Sequence, residues 1–123
     1  MFVHFDEVDH AGHEIGHGTP RYIAAIEEVD GLTGRLIEAL RARGFLESTT
    51  ILLTADHGGV GTKHGGATMA EIEIPWILTG PGVAKGREIK AAVNTFDTAP
   101  TIARMLGITP HPAWIGRVVA AAF

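Results

Sequence analysis

The chain is expected to form an α/β layer fold, a mostly parallel sheet flanked by helices. Three observations lead there. Thr49-Thr50-Ile51-Leu52-Leu53 is β-branched and apolar throughout, as a strand buried on both faces is, and parallel sheets bury both faces. The stretch from Thr19 to Arg43 carries Ile23, Ile26, Val29, Thr33, Leu36, Ile37 and Leu40 at spacings of three and four, which is one helical stripe. Asp56 and His57 stand where the central strand ends, followed by Gly58-Gly59. The carboxyl edge of a parallel sheet is where such folds hold ligands.

In chain order, Phe2 to Val8 reads as a first strand. It runs into a glycine-punctuated loop over Asp9 to Gly18. Thr19-Pro20 opens the long helix, with Thr as N-cap and Pro at the first helical position. Gly31 and Gly34 weaken its intrinsic preference, so packing against a sheet must hold it. Gly44 is placed to stop it. The central strand is expected over Leu46 to Thr54, one helical turn over Ala67 to Glu71, and another strand over Ile74 to Thr79. Pro75 must then lie at that strand's start or on an edge. Arg87 to Val93 could form a further short strand. Asp97 reads as N-cap of a last helix with Ile102, Ala103 and Leu106 on its apolar face, closed by Gly107. The tail from Trp114 to Phe123 is apolar enough to pack down.

Composition narrows the classes. With 46% hydrophobic and 20% charged residues, the 123-residue chain can form a core. The formal net charge of −4, with no basic block, argues against a nucleic-acid polymer surface or an anionic-membrane patch. No apolar run is long enough to span a bilayer. Met1-Phe2-Val3-His4-Phe5 lacks the basic and apolar regions of a signal peptide. Cysteine is absent, which removes disulfide and thiolate chemistry.

The histidines are unevenly distributed. Of seven, His4, His10, His13 and His17 open the chain, and His57 and His64 follow the central strand; His111 stands apart between prolines. Asp9 and His13 would share a face if that segment were helical, and the glycine between them would let a loop achieve the same. Carboxylate and imidazole are ligand types for zinc and similar divalent ions. Each pair alone also fits a capping carboxylate and a surface imidazole. Three such clusters, Asp9/His13, Asp56/His57 and His64, each with glycines beside it, favour a common site.

The combination Val8-Asp9-His10-Ala11-Gly12-His13, Thr54-Ala55-Asp56-His57-Gly58-Gly59, His64-Gly65-Gly66 and Ile74-Pro75-Trp76-Ile77 resembles the alkaline phosphatase superfamily, nearest its type I phosphodiesterase/nucleotide pyrophosphatase branch. Phe96-Asp97-Thr98-Ala99-Pro100-Thr101 and Trp114-Ile115-Gly116-Arg117 resemble its closing segments. The resemblance implies an alkaline phosphatase-like fold, present as a partial domain. It implies two divalent ions, zinc or alternatively manganese, the first held by Asp9, His13 and His64 and the second by Asp56 and His57. It also implies a small phosphate-ester substrate. The family's Thr or Ser nucleophile and one further Asp ligand lie upstream of the first Asp-x-x-x-His motif, so residues 1–123 resemble the C-terminal half of one catalytic domain. No Thr of this chain stands in the nucleophile's context. An incomplete sheet would leave an unpaired edge, so self-association or an N-terminal half outside this chain is expected.

Val8 stands where nucleotide pyrophosphatases usually have Pro, and His17 where they often have Pro after Gly16. These departures lead away from the nucleotide-specific members. A noncatalytic fragment, a sulfatase, a phosphomutase and a phosphonate hydrolase of the same superfamily remain open alternatives.

Overall fold

A computed structural model describes residues 1–123, which divide into two units: Met1–Thr49 with Thr54–Pro75, and Thr50–Leu53 with Trp76–Phe123.

The first unit is helical. Helix α1 spans Glu7–Ile15, α2 spans Pro20–Ala42 and the single-turn α3 spans Met69–Ile72, with a 3-10 turn at Leu46–Ser48. Helix α1 carries Glu7 and Asp9 in its first turn, where the helix dipole favours acidic groups, and His13 in its last. Thr19 caps α2: its Oγ1 accepts the Tyr22 N–H at 3.3 Å and its own hydroxyl donates to Gly16 O at 2.9 Å. That second bond ties the start of α2 to the end of α1, and the two helices pack on each other. Gly44, in the left-handed region at φ 73°, turns the chain out of α2 as expected.

Two expectations fail in this unit. Phe2 to Val8 forms no strand, and the segment expected as a loop from Asp9 is helical through Ile15. A strand persists only where a neighbour pairs with its backbone, and no segment of this chain pairs with residues 2–6; Met1 and Phe2 are fully or almost fully exposed. Without a ladder the chain enters a helix as soon as the sequence allows, and Gly12 is accommodated inside it.

The second unit holds the sheet. Strands β1 (Ile51–Thr54) and β2 (Trp76–Thr79) form a two-stranded antiparallel pair, not the mostly parallel sheet expected. The end of β1 meets the approach to β2, where the Thr54 hydroxyl donates to Pro75 O at 2.9 Å. Pro75 lies just ahead of β2, where its missing N–H costs no ladder bond. Leu46 to Ser48 forms the 3-10 turn instead of lengthening β1, and Arg87 to Val93 contains no strand. The reason is the same in each case: two strands offer few edges to extend.

Helix α4 (Thr98–Met105) supplies the core of this unit. Thr101 is completely buried, with Ala103, Val119 and Ala122. The Thr101 hydroxyl donates to Asp97 O at 2.7 Å and accepts the Val119 N–H at 3.0 Å, which fastens the tail to the helix at Val119. The tail packs down as expected at Val119 and Ala122, and Arg104 lies over the Phe123 ring, but Trp114 and Ile115 remain exposed. Asp97 occupies the N-cap position, yet its side chain does not cap the helix. It accepts the Arg117 N–H at 2.8 Å and the Asn94 N–H at 2.9 Å instead. No helix of the structure is long and apolar enough to cross a membrane.

Candidate metal centre

The helix at residues 7–15 puts Asp9 and His13 one turn apart on one face. His13 Nε2 lies 3.5 Å from Asp9 Oδ2. From the other side, the segment after β1 brings His57 and His64 to the same carboxylate: each Nε2 is 3.9 Å from Asp9 Oδ1. One ligand atom each from Asp9, His13 and His64 falls within 4.8 Å of the other two. Asp56 stays outside this group. It is exposed, its Oδ2 is 3.6 Å from His57 Nε2, and its Oδ1 accepts the His57 N–H. The residues that sequence separates into two ligand sets therefore form one trio around Asp9 and one adjoining pair, with His57 between them.

Backbone carbonyls orient the imidazoles. His13 Nδ1–H donates to Thr62 O at 3.0 Å, and His57 Nδ1–H donates to Gly58 O at 2.9 Å. A carbonyl oxygen can only accept, so these bonds put the proton on Nδ1 and leave the Nε2 lone pair free. Both free lone pairs are on the Asp9 side. The His57 and His64 rings stack with centroids 3.8 Å apart, and the His13 ring meets His64 edge-on at 5.0 Å.

The donor set fits a divalent cation. Asp9 Oδ1 is shielded from solvent and has no hydrogen-bond partner. A buried carboxylate oxygen left unpartnered is costly. A cation shared with the Nε2 atoms of His13 and His64 would satisfy it. Imidazole with carboxylate suits zinc better than calcium or magnesium, which take oxygen donors.

Glu71 holds the segment that carries His64. Its carboxylate accepts the Thr68 hydroxyl at 2.7 Å, the Gly66 N–H at 2.8 Å and the Thr68 N–H at 3.3 Å. The Thr68 hydroxyl first, then the Gly66 N–H, keep this carboxyl below the usual carboxylate range. The Glu71 carbonyl accepts the Gly58 N–H at 2.7 Å. One residue thus anchors the chain next to His57 and two residues past His64. Gly58 has to be glycine here, because a Cβ would fall 2.2 Å from Ala70 O. Thr68-x-x-Glu71 is a capping-box signature, so this anchor could have been found from sequence. Glu71→Ala in the full-length protein is expected to weaken zinc or cobalt affinity by about 10- to 100-fold, and Glu71→Gln, which still accepts from Gly66, to weaken it far less. Metal titration with a competing chelator reads both; equal affinities in the two variants would remove the anchoring role.

The remaining histidines stand apart. His10 is exposed and faces Glu14 at 3.3 Å, and His4 is exposed and stacks on Phe2. His111 accepts the Ala113 N–H within its own loop. Tyr22 lies on the His17 ring at 5.0 Å; burial first, then the Asp9 charge, raise its phenol above the ordinary value.

Residues 1–78 match the family profile described as type I phosphodiesterase / nucleotide pyrophosphatase. The chain belongs to that family, within the alkaline phosphatase superfamily. Curated relatives of this phosphodiesterase-family chain include arylsulfatase K of Danio rerio, 31% identical over 76% of the chain and 23% of the relative. Arylsulfatase K of Xenopus laevis is 32% identical over 71% of the chain and 17% of the relative. Steryl-sulfatase of Rattus norvegicus is 30% identical over 85% of the chain and 21% of the relative. The chain spans less than a quarter of the length of these relatives. The fold is similar to that of a solved Bacteroides thetaiotaomicron VPI-5482 protein described as a candidate sulfatase, with a TM-score of 0.69 at 22% identity over 92% of this chain and 29% of that one. The chain therefore carries part of an alkaline phosphatase-like fold.

Proposed function

We propose that residues 1–123 are the metal-binding, C-terminal portion of an ester hydrolase that cleaves sulfuric esters. Asp9, His13 and His64 hold one divalent ion, and Asp56 and His57 contribute to a second. The observation that carries the metal reading is the unpartnered Asp9 Oδ1 among free imidazole nitrogens. The sulfuric-ester reading is supported by the arylsulfatase and steryl-sulfatase relatives. It replaces phosphodiester hydrolysis as the first reading. A phosphodiester substrate remains the second, favoured by the family profile over residues 1–78 and by the imidazole-rich donor set.

When bound, divalent ions held by these residues would lower the pKa of a hydroxyl nucleophile and offset charge on the transferred group. The chain's own residues orient and hold. Thr62 O and Gly58 O fix the faces that His13 and His57 present, and Glu71 fixes the run from His64 to Thr68. The nucleophile comes from outside these residues, so the 123-residue chain alone is expected to turn over no ester.

The test is a panel of aryl sulfates, phosphate monoesters, phosphodiesters and phosphonates on the full-length protein, before and after chelation. Aryl sulfates should be hydrolysed fastest, with turnover lost to chelator and restored by zinc or manganese. Because neutral imidazoles and ionised carboxylates must bind the ion, metal retention should weaken in acid. Turnover that is indifferent to a chelator which strips all bound metal would overturn the metal reading. A preference for diesters would promote the second reading.

A further inference from the structure

His17 belongs to neither ligand set, yet it is fixed from several directions. Its backbone N–H donates to Gly61 O at 2.7 Å, and its Nδ1–H donates to the same oxygen at 2.9 Å. The far end of the ring fills space that side chains at two other positions would need. A Cβ on Gly12 would fall 2.4 Å from His17 Nε2, and one on Gly59 would fall 2.2 Å from it. Neither glycine has a positive φ, so it is the ring, not the backbone, that demands glycine there. One residue beyond Gly61, Thr62 O accepts the Nδ1–H of His13. Adjacent carbonyls of one loop are therefore gripped by two histidines of the opening segment, Gly61 by His17 and Thr62 by His13.

We propose that His17 is a positioning residue for the metal centre. Its ring, wedged between Gly12 and Gly59, seats the Gly61–Thr62 carbonyls so that His13 is held with its proton on Nδ1 and its Nε2 lone pair toward Asp9. His17 stands outside the ligand trio: the ligand atoms that lie within 4.8 Å of one another are those of Asp9, His13 and His64. The consequence for metal affinity rests on reading Asp9, His13 and His64 as ligands. The consequence for the His13 tautomer does not.

The experiment combines long-range nitrogen–proton NMR of the imidazoles in metal-free protein with cobalt(II) titration of the full-length protein. The wild type should show His13 protonated at Nδ1 alone. His17→Ala should give a mixture of tautomers and lower cobalt affinity by about tenfold or more. His17→Asn, whose amide can donate to Gly61 O from near the Nδ1 position, should recover most of both. Gly59→Ala should reproduce the His17→Ala loss by displacing the ring, and the double variant should be no worse than His17→Ala, because the new methyl then meets no ring. An unchanged His13 tautomer and unchanged affinity in His17→Ala would overturn the proposal, as would effects of His17→Ala and Gly59→Ala that simply add. If the wild type bound no cobalt, the metal reading would fall by itself, and the metal-free NMR spectra would still decide the role of His17. Should His17→Ala fail to fold, His17→Asn and Gly59→Ala carry the same decision.

Discussion

Asp9→Asn should strip the centre of metal and lower ester hydrolysis by the full-length protein by more than the ~100-fold that loss of a residue orienting a ligand costs. Asp9 is the one side chain that all the convergent imidazoles face: His13 at 3.5 Å from Oδ2, and His57 and His64 at 3.9 Å from Oδ1. Asparagine keeps the shape and removes the charge that balances a dication. It also brings an NH2 group that can donate to a free Nε2. The metal-free variant should therefore be as stable as the metal-free wild type, or more so. This separates the effect from unfolding. Metal content per chain, kcat/KM on an aryl sulfate and metal-free thermal stability are the measurements. Metal content and kcat/KM both left at wild-type levels would show that Asp9 is no ligand.

Asp97→Ala should destabilise the second unit by about 3 kcal/mol, the scale of leaving buried donors without their acceptor. The Asp97 carboxylate accepts from Arg117 N–H, Asn94 N–H and Asn94 Nδ2–H, and only 8% of the residue is exposed. It joins the start of α4 to a tail twenty residues further on. The Arg117 N–H first, and the Asn94 N–H next, lower this carboxyl below its ordinary value of 3.8. A carboxylate whose folded value is depressed stabilises the fold fully above the unfolded value and loses that contribution as the pH falls through the folded one. Wild-type stability should thus fall below about pH 4, and Asp97→Asn should flatten that part of the profile. Denaturant unfolding at neutral pH and near pH 3 measures both. An identical acid dependence in wild type and Asp97→Asn would assign the loss to other groups.

The long helix was legible because its signals are local. Thr19-Pro20 at one end, Gly44 at the other and a stripe at spacings of three and four describe α2 almost to the residue. The candidate ligands were legible as residue types in glycine-rich motifs, and the spacing of Asp9 and His13 was compatible with one helical face, although the segment itself was expected as a loop. Phe2 to Val8 misled, since a segment that could form a strand does so only beside a partner, and this chain offers that segment none. The parallel sheet failed for the same reason, and the Asp97 side chain does not cap its helix because Asn94, three residues before it, and Arg117, twenty residues after it, donate to its carboxylate instead.

By itself the sequence determined the donor inventory, the main helix and the superfamily, because each is written in neighbouring residues. The tertiary structure alone decided which donors meet, and that His57 adjoins Asp9 as well as Asp56. It also decided that Gly61 and Thr62 carbonyls orient rings from the opening segment, and that Gly12 and Gly59 exist to admit one imidazole. The two carbonyl contacts join residues 49 and 44 positions apart, set by how backbones approach one another, and no local pattern of side chains encodes such an approach.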